Sequence, residues 1–85
     1  MSLQFIGIDP NTGQSESPTA WVDEETGDIV LQGYTADDVT RAQCMANTAP
    51  GHAQVIPDHE TVIRIPVRMA PILREACDAA ERAQL

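Results

Sequence analysis

Apolar positions open the chain almost at once. Leu3 to Ile8 reads LQFIGI and runs into Asp9 and Pro10, which predicts a short strand stopped by the turn formers Asn11 and Gly13. Residues 10–18, PNTGQSESP, are polar and without periodicity, and are expected to be a loop. Strand character resumes at Thr19 to Asp23, TAWVD. The stretch EETGD then supplies a tight turn in which Gly27 can adopt positive φ. Asp28 to Tyr34, DIVLQGY, is rich in β-branched and aromatic residues, so the two runs predict a hairpin.

The next stretch, YTADDVTRAQCMAN, changes to a helical period. Thr35 is the expected N-cap, with Asp37 and Asp38 in the first turn, where the helix dipole favours carboxylates. Val39, Ala42 and Ala46, helped by Met45, form a narrow apolar stripe. Asn47 is the expected left-handed end, with Pro50 and Gly51 blocking continuation. After the loop TAPGHAQ, a turn at Pro57 and Asp58 precedes a predicted strand over Glu60 to Ile65, with Val62 and Arg64 on one face. Pro66 closes it. Met69, Ile72, Leu73, Ala76, Cys77 and Ala80 then recur at helical spacing, and Pro71 requires the helix to begin near Met69 or Ala70. The element order β-β-β-α-β-α predicts an α+β fold, a small and mostly antiparallel sheet backed by two helices, in a single domain spanning residues 1–85.

Composition narrows what such a fold can do. A domain of 85 residues buries only about 60% of its unfolded surface. Here the apolar set is rich in alanine and holds one Phe, one Trp and one Tyr. A homodimer, burying apolar surface between subunits, is the expected remedy. The net charge is −8, with thirteen acids, five arginines and no lysine. Direct nucleic-acid binding is not expected, because phosphate contacts need concentrated positive charge. An acidic surface suits solubility or a basic protein partner steered by charge. No stretch has the length of a membrane span, and the N-terminus lacks a basic region followed by an apolar one, so the reading is cytoplasmic with no membrane partner. Cys44 and Cys77 fall among apolar neighbours in predicted helices and are read as buried thiols rather than a disulfide.

Candidate chemistry begins with Asp9. An aspartate at the end of a first strand, followed by a hairpin, imitates the opening of an RNase H-like fold. The alternative to a non-enzymatic reading is therefore a metal-dependent phosphoryl-transfer or nuclease-like site around Asp9. A two-metal site needs further carboxylates to hold cations roughly 4 Å apart. The downstream acids Asp37, Asp38, Asp78 and Glu81 fall in helix starts or on exposed helix faces. Asp9 is read instead as a strand end that caps its own turn. Cys44, His52 and His59 carry atoms that could bind zinc, but their spacing matches no recurring zinc motif. Pairing of Cys44 or Cys77 with His59 as nucleophile and base is disfavoured by the apolar setting of both thiols. No cofactor is expected. Trp21 and Tyr34 are read as sheet core, with a partner-facing pair as the alternative. Arg64, with Arg68 beyond Ile65-Pro66, either extends to solvent or reaches a carboxylate across a dimer interface. Trp21, Tyr34 and Arg64 are therefore the candidate partner-facing residues.

Two stretches together, TAWVDEETGDIVLQGY and IPDHETVIRIPVRMAPILREACDAAERA, carry a further signal. Their combination resembles a group of short acidic proteins of actinobacteria, mostly streptomycetes, often encoded beside a helix-turn-helix regulator. The resemblance spans most of the chain and resides in the TGDIVLQG hairpin, the PDHET turn and the strand–Pro–helix end. It implies an accessory protein in development-linked transcription regulation that contacts a DNA-binding regulator, with room for a dimer. It contains no catalytic motif and carries no site residues across.

Overall fold

The computed structural model describes residues 1–11, 13, 17–52 and 54–84. Within them lie β1 (Leu3–Ile8), β2 (Thr19–Asp23), β3 (Ile29–Gln32), β4 (Tyr34–Thr35), α1 (Asp38–Ala46), β5 (Ile63–Arg64), a 3-10 turn over Val67–Met69, and α2 (Ala70–Ala83). The fold is a small α+β one, with a three-stranded antiparallel sheet in the order β1-β2-β3 and a two-stranded sheet of β4 and β5. The chain divides into two units, Met1–Gly33 with Ile65–Leu85, and Tyr34–Arg64.

In the first unit α2 packs on one face of the three-stranded sheet, and the centre of that contact is built of small side chains. Ala20 and Val22 of β2 meet Ala76 and Ala79 of α2, and Ile6, Ile72 and Ala80 close around them. Alanine on both elements lets helix and sheet come close, so shape fit substitutes for bulk. The pairing of β1 with β2 slips between Phe5 and Gly7, a bulge that leaves Ile6 as the extra residue. Ile6 and Gly7 thereby both turn inward. A Cβ on Gly7 would stand 2.9 Å from Ile72 Cγ2, so only glycine fits that approach without displacing Ile72. Met69 and Pro18 are fully buried beside this core.

Local chemistry fixes the hairpin. Asp23 Oδ1 accepts the Glu25 amide, Thr26 Oγ1 accepts the Asp28 amide, and Gly27 takes φ +80°. The expected third strand splits at Gly33. Residues 29–32 pair with β2, while Tyr34 and Thr35 leave to pair with Arg64 and Ile63. In the second unit, that pairing and a bond from the Ala36 amide to Val62 O keep the backbone extended as far as Ala36. Thr35 is thus a ladder residue, and Asp37 caps α1 instead, its carboxylate accepting the Thr40 amide at 2.8 Å. The predicted strand over residues 60–65 shrinks to Ile63–Arg64, because its partner offers only two residues.

The end of α1 and the start of α2 fall where expected, but the apolar stripe of α1 and the place of Cys77 on α2 do not. Asn47 ends α1 with φ −120° and ψ 49°, outside the left-handed region, its side-chain amide donating to Gln43 O. No residue of α1 is buried; of the expected apolar stripe Val39, Ala42 and Ala46 are exposed, Val39 at 72%, and Met45 is half-buried. In α2 the buried line runs through Met69, Ile72, Ala76, Ala79 and Ala80. At about 100° per residue, Cys77 lies roughly a quarter-turn or more from the centre of that line. Cys77 is accordingly exposed, as is Cys44, which corrects the reading of both as buried thiols.

Since Met69 is fully buried and Phe5 is 58% exposed, the two should respond oppositely to truncation. Urea unfolding of Met69→Ala should show a loss of about 2–5 kcal/mol, a large share of a domain stability on the order of 4–13 kcal/mol. Phe5→Ala, measured as monomer at low concentration, should cost less than about 1 kcal/mol.

Candidate functional site

Asp9 stands at the end of β1 with its side chain fully buried. Its Oδ1 accepts the Asn11 amide at 2.9 Å, closing the Asx turn that an Asp-Pro-Asn sequence favours. Its own amide donates to Pro18 O at 2.9 Å, so the chain leaves β1 and enters β2 through a shared clip. The same Oδ1 also accepts Arg68 Nε at 2.6 Å, a charge-assisted bond between residues 59 positions apart. Arg68 sits in the 3-10 turn that Pro66 begins, where the Met69 amide donates to Pro66 O and the Met69 side chain is sunk in the core. Anchoring on Met69 holds the guanidinium over the carboxylate while 40% of the Arg68 side chain stays exposed.

The Arg68 hydrogen bond is the main reason the Asp9 carboxyl lies below its ordinary value. The Asn11 amide and the Arg68 charge act in the same direction, and burial opposes them. A carboxylate held ionised against a guanidinium is a weak general base, and an oxygen so occupied is poorly placed to hold a divalent cation. What the pair does mechanically is plain. It ties the end of β1 and the loop after it to the entrance of α2.

A second polar group lies in the other unit. Arg64 of β5 donates from Nε and Nη2 to Thr40 Oγ1 at 3.2 and 2.8 Å. The Thr40 amide, then its hydroxyl and the Arg64 charge, lower the Asp37 carboxyl, again against burial. Arg64 therefore braces the first turn of α1 and does more than extend to solvent. The zinc candidates do not converge. Cys44 is exposed on α1, His52 and His59 are exposed in the segment after it, and no three His, Cys, Asp or Glu among the described residues are grouped to hold a metal. His59 instead lies 3.8 Å from Glu60 beside the turn closed by Glu60 N and Pro57 O. A hollow at the opposite end of β1, lined by Gln4, Glu24, Ala79, Arg82 and Ala83, brings together one acid and one base.

The aromatic candidates are not sheet core. Trp21 alternates with Ala20 and Val22 and so faces away from α2, half-buried; Tyr34 is half-buried on β4. Strand register sets Phe5, Trp21 and Val30 side by side in one row on this outer face. Leu3 with Asp23 lies on one side of the row, and Ile8 with Thr19 and Gln32 on the other. Phe5, Leu3, Ile8 and Val30 are exposed.

No protein-family model, curated protein or solved structure matches the chain. The site therefore rests on its own geometry. The Asx turn at Asp9 is readable from Asp-Pro-Asn, but its arginine is not. Only the burial of Met69, next to Arg68, marks that arginine as fixed rather than free.

Because the Asp9 carboxyl is lowered in the folded state, its stabilising contribution is complete above the unfolded carboxylate value near ~3.9. It is lost as pH falls below that value through the lower folded one. Chemical unfolding between about pH 5 and pH 2 should therefore show a shallower pH slope for Asp9→Asn than for wild type. An unchanged slope would show that Asp9 is not held by Arg68.

Proposed function

We propose that the protein is a non-enzymatic accessory protein that acts by contacting another protein in the cytoplasm, and that this partner is basic. A helix-turn-helix DNA-binding regulator is the best match. The observation that carries the reading is where the charge remains. Asp9 and Arg68 neutralise each other inside the fold, which leaves twelve acids against four arginines for the rest of the chain. The β2–β3 turn gathers Asp23, Glu24, Glu25 and Asp28 without an intervening arginine or lysine. A field of that sign speeds encounter with a basic surface and repels nucleic acid itself. The resemblance read in the TGDIVLQG and PDHET stretches implies the same kind of partner. Asp9, a carboxylate just past the end of β1, supports the non-enzymatic reading, because its oxygen is engaged by a guanidinium.

Tagged protein recovered from its native cells should bring down a basic protein, and the association should weaken as salt is raised from about 0.05 to 0.5 M, where the screening length falls to a few ångströms. Recovery of no partner, or a salt-independent one, would contradict the reading. A metal-dependent site at Asp9 would behave differently. Millimolar magnesium or manganese would raise the melting temperature of the wild type and not of Asp9→Asn; the arrangement around Arg68 leads us to expect no shift in either.

A further inference from the structure

We propose that two copies of this chain meet through the outer face of the three-stranded sheet, with their strands antiparallel across the interface. This inference stands apart from the basic partner, because it rests on the apolar rows and not on the net charge.

The first observation is that the outer face is apolar as well as the inner one. An antiparallel sheet covered on one side by a helix ordinarily places its bulky apolar residues under the helix and polar ones outside. Here the helix side holds Ile6, Gly7, Ala20, Val22, Ile29 and Leu31, yet the outer side also holds Leu3, Phe5, Ile8, Trp21 and Val30. Among the described residues the helix α2 packs on the inner side; on the outer side the Ser17 carbonyl accepts from Thr19 Oγ1 and Gln32 Nε2 at one end, and Phe5 is 58% exposed. An apolar row of this kind, bordered by polar residues, marks a contact surface.

The second observation is the placement of charge, which selects the occupant. No charged residue interrupts the Phe5–Trp21–Val30 row. Asp23 lies at one end of the face, and Asp28, whose carbonyl accepts the Asp23 amide, lies beside it. Ile8 and Gln32 form the other, uncharged end. A two-fold axis between the sheets and across the strands makes each row face its counterpart. Phe5, Trp21 and Val30 then meet their own copies, Leu3 meets Ile8 of the second copy, and each acidic end lies over an uncharged one. A two-fold axis along the strands would instead stack acid on acid. Only the first arrangement is free of like-charge opposition, so the face is self-complementary in one orientation.

Size sets the strength. Three strands ~4.8 Å apart and of six, five and four residues, at ~3.3 Å each, make a face of roughly 14 by 17 Å. A pair of such faces falls below the roughly 1,600 Å² of a standard interface, so the dimer should dissociate at tens of micromolar or above.

The test uses the whole chain in sedimentation equilibrium from about 5 μM to about 1 mM, alongside tryptophan fluorescence. The chain has a single tryptophan, and it lies on this face. Mass should double with concentration while Trp21 emission moves to shorter wavelength. Added salt should tighten the dimer, because both copies carry −8; the basic-partner association moves the opposite way with salt, so the two readings fail separately. Phe5→Asp should remain monomeric with an unchanged far-ultraviolet dichroism spectrum. Leu3→Gln gives a second, milder variant with dimer affinity reduced several-fold, and Glu75→Gln on α2 should leave it unchanged. A monomer throughout the range, or a dimer that survives Phe5→Asp and Leu3→Gln, would overturn the proposal.

Discussion

The close approach of α2 to β1 and β2 is the contact on which the rest of the larger unit depends. It requires glycine at position 7, where a Cβ would strike Ile72, and it requires alanine on both surfaces at Ala20, Ala76 and Ala79. A chain with one Phe and one Trp cannot fill that narrow space with either, so both aromatics stand on the opposite face of the sheet. The exposed apolar row is thus a consequence of how tightly the helix is seated. The bulge at Ile6 belongs to the same solution, because it directs two consecutive residues inward and restores Ile8 to the outer face.

The Asp9–Arg68 pair secures the entrance to that helix. A buried carboxylate is costly unless its charge is matched, and here a guanidinium fixed by the neighbouring Met69 matches it. The pair joins the end of β1 to the entrance of α2, and the Asp9 amide, bonded to Pro18 O, closes the excursion between β1 and β2. A residue that looks like the first carboxylate of a nuclease is thereby given a structural duty. Outside this pairing, twelve acids stand against four arginines in the rest of the chain.

Much of the architecture was legible in the sequence because it is set by local chemistry. Pro10 and Asn11 end β1, Gly27 turns the hairpin, and Pro66 with Pro71 brackets the start of α2, so these boundaries follow from backbone stereochemistry alone. Where tertiary pairing decides, the sequence was silent. Thr35 has the chemistry of an N-cap, yet its pairing with Ile63 passes that role to Asp37. Cys77 and Ala79 are both plausible for an apolar stripe, and only the rotation of α2 on the sheet exposes one and buries the other. Trp21 reads as core by composition, while the side of the sheet that receives a helix is not written in a two-residue alternation. Arg68 meets Asp9 across 59 positions, a separation at which no spacing rule operates.

The central claim is that α2 closes one face of the sheet and a second copy closes the other. Leu3 and Ile8 lie at opposite ends of β1, on the order of 17 Å apart within one chain, too far for a proton–proton nuclear Overhauser contact. In a mixture of isotope-labelled and unlabelled protein at millimolar concentration, a filtered experiment should show Leu3 methyls in contact with Ile8 methyls, and no intermolecular contacts from α2. Intermolecular contacts confined to α2, or none at all, would contradict it.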